Sequence, residues 1–153
     1  MALALTDFKA LCGFMPIPRI AEYVKAVPEF NALFDPSIVT EFLNCTHASE
    51  LEQKAVLKKF FSEFMTADVT KIATQLQTLV ARYQSGGQKH VEEGIKDLVL
   101  TLNEQYPGDI GVFCAFMLNY VQMIPGQAIY LGAGEPHAYV QGGMSFPGNI
   151  QLI

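Results

Sequence analysis

Tyr106-Pro-Gly-Asp-Ile-Gly111 separates two kinds of sequence in this chain of 153 residues. A proline, two glycines and an aspartate within six positions interrupt any regular element and mark a turn. Residues 1–96 hold all ten Lys and Arg together with eleven of the Asp and Glu. Residues 97–153 hold no Lys or Arg and only Asp97, Glu104, Asp109 and Glu135, and eight of the twelve glycines lie beyond residue 104. The shift predicts an α+β chain, with an α-helical domain over 1–105 and a β segment over 106–153.

Working back from the turn, the helices follow from spacing and from caps. Ile17, Ile20, Ala21, Val24 and Val27 repeat with the 3.6-residue period, and Pro28 is expected to close that helix. Asp35-Pro36 is an N-cap followed by proline at the first helical position, leading Ile38, Val39, Phe42 and Leu43. Ser49-Glu-Leu-Glu52 has the form of a capping box and opens a helix expected to bury Leu51, Val56, Phe60 and Phe64. Asp68 caps another, with Val69, Ile72, Ala73, Leu76, Leu79, Val80 and Tyr83 on one face. Gln84-Ser-Gly-Gly-Gln88 is a loop, and a last helix is expected to carry Val91, Ile95, Leu98, Val99 and Leu102.

Working forward, Phe113 to Val121, Ala128 to Leu131 and His137 to Val140 have strand composition, with Pro125-Gly126 between the first two. Short strands joined by Gly/Pro turns suggest a barrel or jelly roll. Three strands cannot close one, so the segment is expected to be partial, with unpaired edges that favour self-association. Met1-Ala-Leu-Ala-Leu5 lacks the basic flank and length of a secretory signal and is expected to be a buried strand or helix.

Composition excludes several classes. Half the residues are hydrophobic and 16% are charged, which is not a disordered chain. A net charge of −5 gives no basic footprint for nucleic acid. The apolar run Val112 to Tyr120 is far short of the ~20 residues that span a bilayer, so no membrane partner is expected. Cys12, Cys45 and Cys114 are odd in number and widely spaced, which predicts reduced thiols in a cytoplasmic protein. Of the histidines, His47 and His90 are expected to be solvent-facing without a catalytic role. His137 begins a strand directly after a Gly-Ala-Gly-Glu-Pro turn, with Tyr139 two residues on and therefore on the same face. That placement suits a ligand or an acid–base group, although a lone histidine is more often structural. No HxH, HxxxH or CxxC occurs, Glu135 lies before the Pro136 bend, Cys114 reads as an inert buried thiol, and the glycines form no nucleotide-binding GxGxxG.

Three segments together carry a family resemblance. They are Met1-Ala-Leu-Ala-Leu-Thr-Asp-Phe-Lys-Ala-Leu-Cys-Gly-Phe14 with Val27-Pro-Glu-Phe30; Tyr106-Pro-Gly-Asp-Ile-Gly-Val-Phe113 with Phe116-Met-Leu-Asn-Tyr120; and Pro125-Gly-Gln-Ala-Ile-Tyr-Leu-Gly-Ala-Gly-Glu-Pro-His-Ala-Tyr139. Their order and spacing resemble the type I mannose-6-phosphate isomerases, the phosphomannose isomerases, over residues 1 to about 143. The resemblance implies a helical insertion domain followed by a partial cupin (jelly-roll) segment over 106–153, with a divergent tail from about residue 144. It implies a cytoplasmic, zinc-dependent isomerase that interconverts mannose 6-phosphate and fructose 6-phosphate and so feeds GDP-mannose synthesis. His137 matches a zinc ligand and Tyr139 a residue lining the sugar phosphate pocket, while no catalytic residue is assigned.

The same resemblance places further zinc ligands before the residue that corresponds to Met1, and an arginine and a lysine after the matched stretch. The chain is therefore expected to be an internal fragment, such as a truncated product or splice form, and inactive alone. The charge pattern points the same way, because residues 97–153 offer no cation to a phosphate dianion. The alternative expectation is a non-catalytic helical module that acts through association.

Overall fold

The computed structural model describes residues 2–4, 8–124, 126, 128–129, 137–141 and 144–145. The chain groups into two compact units, residues 16–116 and residues 1–15 with 117–153.

The first unit is helical. Helix α1 (Ile17–Ala26) turns Ile17, Ile20, Ala21, Tyr23 and Val24 inward. Pro28 ends that run as expected and also begins a short helix, α2 (Pro28–Asn31). Its fixed φ and missing N–H suit a first turn, where the N–H has no partner in any case. The N-caps of the next three helices are local side-chain bonds, of which Ser49 shows the serine half of the expected capping box. Before α3 (Pro36–Asn44), the Asp35 carboxylate accepts the Ser37 N–H at 2.9 Å. Before α4 (Glu50–Met65), Ser49 Oγ accepts the Glu52 N–H at 3.3 Å. Before α5 (Val69–Gln84), the Asp68 carboxylate accepts the Lys71 N–H at 3.0 Å. Each bond satisfies an amide that the helix itself leaves without an acceptor.

Two expected core positions lie outside the core. Leu51 is 81% exposed and Val69 is 76% exposed. Both sit in the first turn of their helix, and α4 reaches the interior only further along, through Phe60 and Phe64. The final helix is also shorter than its spacing predicts. Val91 falls in a 3-10 turn, His90–Glu92, and α6 (Lys96–Gln105) begins only after Gly94.

Aromatic side chains fill the interior of this unit. Phe60 is stacked between Phe34 and Phe42, with ring centroids 3.9 and 4.1 Å away. Phe30 meets Phe64 edge-on, stacks with Phe113 and lies tilted against Phe116. Such pairs add roughly 0.5–1.5 kcal/mol each beyond the area they bury.

Phe113 is not the start of a strand. Residues Ile110–Phe116 form a 3-10 helix. Its opening is held by Asp109, whose carboxylate accepts the Gly111 N–H and whose carbonyl accepts the Val112 N–H. Every residue from Gly111 to Leu118 is buried. An uninterrupted apolar run is what a helical turn buried on all sides requires, and composition alone does not distinguish that from a buried strand.

The second unit is built of antiparallel strands. β1 (Ala2–Ala4) lies between β4 (Ala128–Ile129) and β6 (Met144–Ser145), with Leu3 opposite both Ala128 and Ser145. β2 (Phe8–Phe14) lies between β3 (Leu118–Met123) and β5 (His137–Gln141). Residues 2–4 and 8–14 are therefore strands of the β unit, a correction to the helical domain expected over 1–105. Their partners lie more than a hundred residues away along the chain, and no local periodicity records that pairing. The structure is thus α+β, mostly helical with antiparallel strands. The expected strand from Ala128 is described only to Ile129, and most of the 144–153 tail lies outside the described residues.

β2 carries one extra residue relative to β3. Leu11 pairs with Tyr120 and Phe14 with Leu118, so three steps on one strand match two on the other. Gly13 absorbs the difference at φ 68°, a left-handed conformation that costs glycine little. The Asn119 side-chain amide donates to the Phe14 carbonyl at 3.0 Å and fixes the bulge.

Candidate functional site

β5 brings the sequence-derived site residues into a sheet. His137, its first residue, is the register partner of Cys12 on β2, and Tyr139 is the partner of Ala10. Both are thus tied to the central strand of that sheet rather than to a free loop. Glu135 lies outside the described residues. Among the described residues no three of His, Cys, Asp or Glu come close enough together to hold a metal. A catalytic zinc takes about three protein ligands, and His137 is the one ligand that the sequence reading assigns within this chain.

The other histidines lie in the helical unit. His47 is exposed at the end of the 3-10 turn Cys45–His47. The His90 side chain is 97% exposed, with Nδ1 3.3 Å from Glu93. Cys114 is fully buried, and burial pushes its thiol well above the usual range, so it is poorly suited to act as a nucleophile. Burial likewise raises Cys45, whose Sγ donates to the Phe42 carbonyl at 3.0 Å.

The strongest electrostatic arrangement in the helical unit is absent from the sequence-derived expectations. Arg82, on α5, reaches Glu29 on α2 through Nε and Nη2, both at 2.9 Å. It reaches Glu92 through Nη1 and Nη2, both at 2.7 Å, and the Gly87 carbonyl through Nη1 at 3.0 Å. Tyr83 Oη and the Lys89 N–H also donate to the Glu92 carboxylate, which is completely buried. Burial alone would raise the pKa of Glu92, but the hydrogen bonds from Arg82, Lys89 and Tyr83 outweigh it and hold the carboxyl below its ordinary range. The Tyr83 phenol is pushed up, first by burial and then by its bond to Glu92. Arg82 is raised by the same two carboxylates. All five guanidinium N–H groups have acceptors, and no buried side-chain polar atom among the described residues lacks a partner. This cluster pins the segment around Glu92 to α2 and α5. Its saturated bonding makes it a structural clamp with no group left to meet a substrate.

A mostly helical unit with antiparallel strands is also found in solved phosphomannose isomerases. One is a mutant phosphomannose isomerase from Salmonella typhimurium in its crystal structure. It matches with a TM-score of 0.67 and 25% identity, covering 92% of this chain and 32% of that one. A zinc-bound holo mannose 6-phosphate isomerase matches with a TM-score of 0.67 over 97% of this chain and 38% of the other, and at 23% identity that likeness is one of fold. Residues 33–118 match the pattern described as phosphomannose isomerase type I, helical insertion domain. Among curated proteins, mannose-6-phosphate isomerase 1 of Arabidopsis thaliana is 39% identical over 93% of this chain and 33% of its own length. The mannose-6-phosphate isomerases of Cryptococcus neoformans and Homo sapiens are each 37% identical over 93% of this chain, and 37% and 34% of their own lengths are covered. The chain belongs to the type I phosphomannose isomerase family. It spans about a third of the length of these curated relatives.

Proposed function

We propose that this chain serves the interconversion of mannose 6-phosphate and fructose 6-phosphate, in the cytoplasm and toward GDP-mannose, with zinc as the metal. The observation that carries this is the match over 93% of the chain to mannose-6-phosphate isomerases at 37–39% identity. In this reading the strands around β2 are part of a cupin barrel, His137 is a zinc ligand and Tyr139 lines the pocket for the sugar phosphate. Bound zinc would supply Lewis-acid polarisation of the sugar oxygens. The chain's own part would be positional, which is supported by His137 and Tyr139 lying two residues apart on β5, since alternate residues of a strand share one face.

The test is a chimaera in which this chain replaces the matching third of the Arabidopsis thaliana relative. Fructose 6-phosphate formation is followed with a coupled dehydrogenase, and metal content is measured alongside. The chimaera is expected to hold zinc and turn over. His137→Ala in it is expected to lose the metal and at least about 100-fold in turnover, because even groups that only support a ligand are worth 10–100-fold. A folded His137→Ala chimaera that keeps both zinc and turnover overturns the reading.

A further inference from the structure

We draw no further inference here: the strongest candidate, the open groove of about 600 Å³ between α1 and residues 90–94, lined by Arg19, Glu22, Lys25 and His90, carries nothing because no feature of the structure shows what would fill it.

Discussion

Arg82 stands between two carboxylates that the chain supplies from either side of it in sequence, Glu29 from 53 residues before and Glu92 from 10 residues after. Neither spacing is a helical or strand repeat, so no periodicity in the sequence announces the cluster. Glu92 alone left a faint local trace, since its carboxylate accepts the N–H of Lys89 three residues earlier, as in half a capping box. A buried ion cluster is a weak source of net stability, but removing one member exposes the rest to an unfavourable environment. Arg82→Met should therefore cost about 3–5 kcal/mol, because it leaves two buried carboxylates without their cation; an unchanged urea midpoint would refute this. The depressed pKa of Glu92 sets the direction of a pH effect. Its contribution is complete above the ordinary carboxyl value of 4.5 and is lost as pH falls below that through the lower folded value. Urea unfolding followed from about pH 7 to pH 3 should show that acid loss in the parent chain and a shallower one in Glu92→Gln.

Elements whose cause is local were legible, and elements whose cause is distant were not. Asp35, Ser49 and Asp68 each cap a helix two or three residues away, so the sequence itself contains both halves of the bond. His137 likewise begins a strand, as the Gly/Pro composition before it predicts. β2 is different, because its identity as a strand depends on β3 and β5 arriving to pair with it. The strand composition from Phe113 to Phe116 misleads for a third reason: a fully buried run loses the alternation that distinguishes one regular structure from another. Within β2, Gly13 is the position where backbone geometry decides the residue type. Gly13→Ala puts a Cβ on a left-handed backbone and should destabilise by about 1–2 kcal/mol, read as a lower thermal midpoint. A midpoint equal to the parent's would mean that the bulge can relax.

Charge composition placed the boundary between the two parts at residue 105, whereas the contacts group residues 16–116 together. Composition records which residues a segment uses but not which strands it pairs with, so it puts residues 1–15 inside the domain expected over 1–105. The helical unit has its own aromatic interior, its own caps and the Arg82 clamp, all closed within residues 16–116. Residues 16–116 expressed alone should accordingly show helical circular dichroism and a single cooperative melt. A broad, non-cooperative loss of signal would show that the unit depends on the strands. His137 and Tyr139, the residues on which the proposed chemistry rests, belong to the other unit.

The hydrogen bond from the Met15 amide to the Met117 carbonyl, at 2.8 Å, closes the circuit between the two places where the chain leaves and re-enters the strands. A guest whose exit and return points already touch adds almost nothing to the loop-closure entropy of its host. Splicing Met15 directly to Met117 would turn β2 and β3 into an ordinary hairpin, so evolution could lengthen, shorten or exchange everything between them without disturbing the register that carries β5.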